Sequence, residues 1–547
     1  MKTFKKVLTV LNLLLLLIIS VAIIASFYVK ITFPMVTIDE LYFYWTNGVT
    51  NSNSDVFISA FQQCVFWVLL VFTILFIILY DISFGHFKLR FLTNFLYKNK
   101  VKEKKEKVGK IQKNKTFDFQ VYPFKIVNNH RVISTLAVIA ISLYIITNNL
   151  NCIRFIQNTS TKSKFIEINY VAPEEVKIEF NEKRNLIYIF VESLETSFFT
   201  KDQGGFWDYE VIPGLYSLLN EDDSIVFYNN DNHELMTMLD GNGWTTAGIV
   251  ANSTGLPFKV PIDGNEYHSE NFMNGSYALG DLLKDNGYHN EVISTARTTF
   301  GGVREFYSKH GSYKIIDANT LKENNFVLNK SDRNDWGFND KFLFEIAKER
   351  LTFLSKQPQP FNLQLITIDT HFTDGYKYSF TTNEFDTQYE NVYATSSKLI
   401  YDFISWVKDQ DFYENTTIVI VGDHISMQED FFSSRGIKTN ERYIYNCYIN
   451  SAVEPNKTEG RIYTELDSYP SIIAAIGGEI SGNRLGLGVN LFSKQKTLAE
   501  KYGMKELNEE TIKKSTFYNE KILGSDYTVM MEKYGITEED EEEVKKN

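Results

Sequence analysis

Three long segments of this 547-residue chain are apolar throughout and contain no Asp, Glu, Lys or Arg. They run from Val7 to Val29, from Val56 to Tyr80 and from Val132 to Leu150. At about 1.5 Å per residue, even the shortest helix would cover roughly 28 Å, close to the hydrocarbon thickness of a bilayer. The first segment could also be a cleaved signal peptide, but it is longer than a signal h-region and two further spans follow it. The pattern predicts three transmembrane helices within residues 1–153.

The distribution of lysine predicts the side of the membrane on which each loop lies. Residues 98–115 contain nine lysines and two glutamates, and the short N-terminus is also basic. By the positive-inside rule both regions are cytoplasmic, so we expect a basic cytoplasmic loop at 81–131 and an external location after about residue 151. The lysine run has no interleaved aromatic residues and lies between two spans, so topology explains it better than nucleic-acid binding does.

The external part divides into a polar linker (154–184), a domain (185–500) and an acidic tail (501–547). Within the domain, short apolar runs alternate with helical stretches. We expect buried strands at 186–191, 362–368 and 417–421, a helix capped by Asp340, and a helix from Pro470 to Ile476 that ends at Gly477. This alternation predicts an α/β domain with a mostly parallel central sheet and helices on both faces.

Polar residues follow each of the three predicted strands. Glu192 follows the first, Asp369 and His371 follow the second, and Asp423 and His424 follow the third. Because the carboxyl ends of parallel strands share one edge of a sheet, these side chains should meet there. Carboxylates with an imidazole are typical ligands of Mn²⁺, Zn²⁺ or Mg²⁺. The three cysteines lack the spacing of a CxxC zinc site.

The segment GNGWTTAGIVANSTGLP, at 241–257, predicts a loop that leads into a helix with Thr245 and Thr246 at its start. A hydroxyl at a helix N-terminus lies beside N–H groups that bind anions, and coordination to a divalent ion would lower its pKa. Spacing alone favours the simpler interpretation, plain N-capping by a threonine.

Five phrases together carry a resemblance to a known family: NLIYIFVESLE, GWTTAGIVANSTGLP, DTHFTDGY, VGDHISM and LDSYPSIIAAIGGEISGNRLGLGVNLF. They resemble the phosphoglycerol transferase I branch of the lipoteichoic acid synthase-like enzymes, within the alkaline phosphatase/sulfatase superfamily. The match covers about 171–493, and three spans suit this branch, whereas typical lipoteichoic acid synthases have five.

The resemblance implies roles for particular residues. It implies one divalent metal ion, Mn²⁺ first with Mg²⁺ or Zn²⁺ as alternatives, and Thr245 as the nucleophile. Arg304 and His371 would bind substrate. The implied metal ligands are Glu192, Thr245, Asp423 and His424.

The implied reaction moves glycerophosphate from phosphatidylglycerol, through a phosphothreonine-type intermediate, to an external glucan or polyglycerophosphate, and releases diacylglycerol. The implied location is a bacterial inner membrane, crossed several times, with the catalytic domain outside the cytoplasm. A phosphoethanolamine transferase and a sulfatase or phosphodiesterase are alternatives, although no cysteine stands in the motif that sulfatases convert to formylglycine. A non-catalytic binding protein is a third class.

Overall fold

The structure is a computed structural model. Among the residues it describes, three helices are long and apolar enough to cross a membrane. Their apolar portions are Thr9–Thr32, Ala60–Tyr80 and Val132–Asn149, within a few residues of the predicted spans. The predicted cytoplasmic loop lies, apart from Arg131, outside the described residues. The described residues are 2–33, 36, 38, 40–42, 54–80, 131–229, 234–259, 272–324 and 329–524.

Within the described part of the chain, seven strands form one mostly parallel sheet. In chain order the strands are β1 Asn185–Val191, β2 Ser224–Ile225, β3 His289–Ser294, β4 Lys314–Ile316, β5 Phe361–Ile366, β6 Thr416–Gly422 and β7 Asn446–Ile449. Their order across the sheet is β2-β7-β6-β1-β5-β3-β4. β1 is central and pairs in parallel with β5 and β6, while β7 pairs antiparallel with both β6 and β2. The three predicted strands are therefore adjacent.

Both faces of this sheet are buried under helices, which confirms the predicted fold class. Alternate residues of β1 enter two separate hydrophobic cores: Tyr188 and Phe190 one, Ile187 and Ile189 the other. Such double burial explains why the strands appear in the sequence as continuous apolar runs. Helices Thr245–Thr254, Leu279–Asp285 and Ser468–Ala475 contribute to the first core, and helices Pro213–Leu219, Asp340–Leu354 and Gln388–Lys408 to the second.

The prediction that Asp340 caps the helix Asp340–Leu354 is wrong by one residue. The N-cap is Asn339, whose side chain accepts the N–H of Phe342 at 2.8 Å. Asp340 is the first helical residue, and its carboxylate accepts the N–H groups of Ile368 and Asp369 instead. The backbone after β5 offers unpaired donors close by, so the buried carboxylate binds these rather than its own helix.

The segments on either side of the α/β domain are structured and pack within it. Residues 154–184, expected to be a linker, contain helices Cys152–Ser160 and Phe165–Asn169 and a strand, Ile178–Phe180, that pairs with Gly478–Ile480. Of the predicted acidic tail, 501–524 is described, and Leu507, Tyr518 and Ile522 enter the first core. Residues 525–547 lie outside the described chain. A compact unit therefore includes both segments.

Candidate active site

The carboxyl ends of β1 and β6 bring three ligand-type side chains together. Glu192 follows β1, and Asp423 and His424 follow β6. One ligand atom of each lies within 4.8 Å of the others, and all three residues are buried. His424 Nε2 is 3.6 Å from Glu192 Oε1 and 3.5 Å from Asp423 Oδ2. His424 Nδ1 donates to the carbonyl of Ile425 at 2.8 Å, so the lone pair on Nε2 faces the carboxylates.

The charges in this cluster suit a divalent cation. Burial, together with the charge of Glu192, raises the pKa of Asp423 to about 7. Burial would lower the pKa of His424, but the Asp423 and Glu192 carboxylates outweigh it and raise that pKa. Two buried carboxylates beside an imidazole lone pair are costly without a cation and match the oxygen and nitrogen ligands of Mn²⁺, Mg²⁺ or Zn²⁺. The residues therefore fit a metal ion.

Thr245 contributes a hydroxyl to the edge of the cluster. It begins the helix Thr245–Thr254, and its Oγ1 donates to Glu192 Oε2 at 3.2 Å. The adjacent Thr246 hydroxyl donates to the carbonyl of Gly301 at 2.7 Å. The N-cap is Trp244, which makes no side-chain cap bond, so neither threonine has the capping role that spacing allowed. Of the two threonines, Thr245 lies next to the cluster of Glu192, Asp423 and His424.

Two glycines let the backbone approach closely at this point. A Cβ on Gly422 would stand 1.9 Å from the carbonyl oxygen of Leu194, so only glycine allows the two backbones to lie this close. A Cβ on Gly248 would stand 2.1 Å from the carbonyl oxygen of Asp423. Gly248 therefore allows the helix that carries Thr245 to lie directly against the backbone of Asp423.

His371 lies in the loop after β5, where its neighbours hold it. Its Nδ1 donates to the carbonyl of Phe372 at 2.6 Å, and its ring contacts Trp336 at 5.0 Å. Burial lowers the pKa of His371 to about 4, so the imidazole is neutral near pH 7. Thr370, just before it, donates to the main-chain carbonyl of Glu192 at 2.5 Å and joins this loop to the end of β1.

Arg304 lies in the helix Val303–Lys309, and its side chain is 30% exposed. Its Nη2 is 3.3 Å from a carboxylate oxygen of the buried Asp317. Its main-chain N–H donates to the carbonyl of Thr298 at 2.8 Å. Gly301, which accepts the hydroxyl of Thr246, is three residues earlier in the same turn. Arg304 is thus held near the start of the Thr245 helix.

A buried ion pair supports the cluster from behind, and sequence reasoning missed it. Nε and Nη2 of Arg442, along one edge of the guanidinium, donate to the two carboxylate oxygens of Glu195 at 2.7 Å each. Arg442 also donates to the carbonyl of Ser426, and Glu195 accepts the N–H of the same residue. The pair therefore connects the loop after β1 to the loop that carries His424. Glu195 stands in the VESLE phrase, but no local signal marks Arg442 as its partner.

A second buried pair of acids, Asp340 and Asp369, supports the loop that carries His371. Asp369 accepts the N–H of Asp340 at 3.0 Å and the hydroxyl of Tyr378 at 3.0 Å. Asp340 in return accepts the N–H of Asp369 at 3.2 Å. Burial raises the pKa of both carboxyls. The sequence places Asp369 at the sheet edge among possible ligands, and it instead binds the backbone at the start of the preceding helix, Asp340–Leu354.

The mostly parallel sheet carries carboxylate and imidazole side chains at its carboxyl edge, and this part of the chain is similar in sequence to a known protein family. Residues 241–470 match the Sulfatase family model.

The predicted resemblance is confirmed by curated relatives. Phosphoglycerol transferase I of Salmonella choleraesuis is 31% identical over 343 residues, which are 59% of this chain and 41% of that protein. Phosphoglycerol transferase I of Escherichia fergusonii is 32% identical over the same shares. The match thus spans less than half the length of these relatives.

Solved structures include the lipoteichoic acid synthase LtaP from Listeria monocytogenes. Its TM-score is 0.44 at 18% identity, and the match covers 61% of this chain and 82% of that chain. The lipooligosaccharide phosphoethanolamine transferase A (EptA) from Neisseria meningitidis has a TM-score of 0.47 at 12% identity, with 86% and 84% covered.

Proposed function

We propose that this protein is a membrane-anchored, metal-dependent phosphoglycerol transferase. It takes glycerophosphate from phosphatidylglycerol, releases diacylglycerol, and passes the group to an external glucan or polyglycerophosphate acceptor. The observation that carries the proposal is the Thr245 hydroxyl, 3.2 Å from Glu192 in the cluster with Asp423 and His424. The curated relatives named phosphoglycerol transferase I support phosphoglycerol as the transferred group. The predicted spans and lysine distribution support an external domain on a membrane anchor, and the resemblance implies that the membrane is a bacterial inner membrane.

In the first step, the residues hold the diester and supply the nucleophile. Glu192, Thr245, Asp423 and His424 would hold a divalent ion, Mn²⁺ in our proposal, which when bound withdraws charge from phosphate oxygens and favours the ionised hydroxyl. Thr245 Oγ1 forms a bond to phosphorus, and the bond from phosphorus to the diacylglycerol oxygen breaks. The leaving oxygen takes up a proton, which balances the one that the Thr245 hydroxyl loses, and diacylglycerol departs. Arg304 binds the non-bridging phosphate oxygens.

In the second step, an acceptor hydroxyl attacks the same phosphorus and the bond to Thr245 breaks. His371 suits proton transfer here because its ring is neutral near pH 7. Its Nδ1–H is committed to the carbonyl of Phe372, so Nε2 carries the lone pair that takes the acceptor's proton. The proton lost by the acceptor balances the one that returns to Thr245.

The test is product analysis with the full chain in detergent or vesicles. Phosphatidylglycerol labelled in its head group is incubated with a glucan, with and without Mn²⁺, and Thr245→Ala is compared with Thr246→Val. We expect label on the glucan only with metal, loss of at least about 10³-fold in Thr245→Ala, and retained turnover in Thr246→Val. Undiminished release by Thr245→Ala would refute the nucleophile.

The products also separate the competing functions. Label on polyglycerophosphate would identify a polymerising acceptor, while free glycerophosphate would identify a phosphodiesterase. Turnover of phosphatidylethanolamine in preference to phosphatidylglycerol would identify a phosphoethanolamine transferase and refute the proposed donor.

A further inference from the structure

A short helix that follows the third apolar helix exposes isoleucine side chains along one face. The helix Cys152–Ser160 begins three residues after Asn149, the last residue of the third candidate span. None of its residues is buried, and Ile153 and Ile156, one turn apart, are 60% and 61% exposed. Phe155, on the opposite face, is partly buried. An amphipathic helix with an exposed apolar face, directly after a candidate membrane span, suits the surface of a bilayer.

The same segment continues past the helix with basic residues and a further exposed isoleucine. Ile168 is 73% exposed, and Lys162 and Lys164 are exposed as well. Residues 152–169 contain three basic residues and one acidic residue, although the chain as a whole has a net charge of −12. Exposed isoleucines beside basic side chains match a membrane that contains anionic lipid, because the apolar groups enter the lipid layer and the cations attract its phosphates.

An ion pair joins this helix to the loop that leads to the candidate nucleophile. Nη2 of Arg154 is 3.3 Å from Oδ2 of Asp240, which precedes Thr245 by five residues. The side-chain amide of Asn508 donates to the other oxygen of the same carboxylate at 3.1 Å. The helix Cys152–Ser160 therefore lies on the side of the domain from which the Thr245 helix starts.

We propose that Ile153, Ile156 and Ile168 enter the outer surface of the bilayer and that the two exposed lysines meet the lipid phosphates there. This deepens the proposed function and rests on it for the choice of an anionic lipid donor. A helix seated in the membrane surface keeps the start of the Thr245 helix close to the head groups. The phosphodiester of the donor can then reach the site while its acyl chains stay in the bilayer.

The first test locates the helix without any assay of activity. In the full chain with Cys64→Ala and Cys152→Ala, I156C is labelled with an environment-sensitive fluorophore, and the buried Cys447 stays unlabelled. The labelled chain is reconstituted in vesicles of phosphatidylglycerol and phosphatidylethanolamine. We expect lipids with a spin label on the acyl chain near the head group to quench this fluorophore.

The matched control for this test is F353C. Phe353 is also apolar and 50% exposed, but it lies in the last turn of the helix Asp340–Leu354, whose first residue binds the loop after β5. We expect no quenching at position 353. Equal quenching at positions 156 and 353 would overturn the membrane contact. A fluorophore at 156 that is shielded from water but not quenched by lipid would also overturn it, because a second copy of the chain would then cover this face.

The second test asks whether the contact serves the use of a lipid donor. Ile156→Glu should lower kcat/KM for phosphatidylglycerol in vesicles at least about tenfold, the scale of one apolar side chain lost from the interface. Turnover of a short-chain phosphatidylglycerol, supplied as monomers, should stay near that of wild type, and Phe353→Glu should change neither. An unchanged kcat/KM in vesicles, or an equal loss on both donors, would overturn this role of the face.

Failure of the proposed function gives a different result. A wild-type chain that releases diacylglycerol from neither donor would overturn the proposed function, while lipid quenching at position 156 would still support the membrane contact.

Discussion

Substitution of Gly248 by alanine is predicted to damage catalysis while it favours the helix. An alanine in the interior of Thr245–Thr254 should stabilise that helix by about 1 kcal/mol relative to glycine. The new Cβ, however, would stand 2.1 Å from the carbonyl oxygen of Asp423, and this neighbour is backbone. To reach ordinary van der Waals contact, the helix and the strand end must separate by about 1 Å, a displacement that can cost about 10²-fold in rate.

The assay measures kcat/KM for phosphatidylglycerol and the thermal midpoint of the same variant. We expect Gly248→Ala to lose about 10²-fold in kcat/KM, and overpacking of about 1–3 kcal/mol to cancel or exceed the gain in helix stability. Ala251→Gly, in the same helix, is the control: it lowers stability without adding an atom, so it should retain turnover. A Gly248→Ala variant with a raised midpoint and wild-type turnover would refute the idea that this contact positions Thr245.

Three further predictions follow from the site. Thr245→Ser should retain measurable transfer because it keeps the hydroxyl, and trapping of labelled head group on the protein would check this; a serine variant as inactive as Thr245→Ala would contradict it. Arg442→Met should lower the free energy of unfolding by about 3–5 kcal/mol because Glu195 stays buried without its partner, whereas adding Glu195→Leu should restore most of it; denaturant unfolding measures both. Burial raises the pKa of Asp340 to about 7, so the folded state binds more protons than the unfolded state between about pH 4 and 7. Stability should therefore fall as pH rises through that window, and Asp340→Asn should flatten the slope of unfolding free energy against pH.

The sequence predicted the parts of this site that depend on local pattern. Buried parallel strands are continuous apolar runs, so the ends of β1 and β6 were visible, and with them Glu192, Asp423 and His424. The helix start at Thr245 was visible because a small-residue loop precedes it. The resemblance implies Thr245 rather than Thr246 as the nucleophile, and in the structure the Thr245 hydroxyl donates to Glu192.

Long-range packing explains what the sequence did not predict. The pairing of Glu195 with Arg442 joins residues 247 positions apart, and neither has a periodic signal. The sequence favours Asp340 as a helix cap because aspartate serves both as a cap and as a buried carboxylate. Only the fold shows which N–H groups lie near the Asp340 carboxylate.

The order in which this chain emerges has a consequence for how the domain can close. Ser163, near the start of the domain, donates its N–H to the carbonyl of Lys514 at 2.9 Å and its hydroxyl to Glu510. The ring of Phe165 meets that of Tyr502 edge to face, with centroids 5.1 Å apart, and the tilted rings of Tyr170 and Phe517 have centroids 5.4 Å apart. The residues that follow the third span therefore cannot complete these contacts until their partners, some 340 residues later in the chain, have been synthesised. In our topology these partners must also be translocated, so export and folding are linked, and early apolar residues need protection until the last turns arrive.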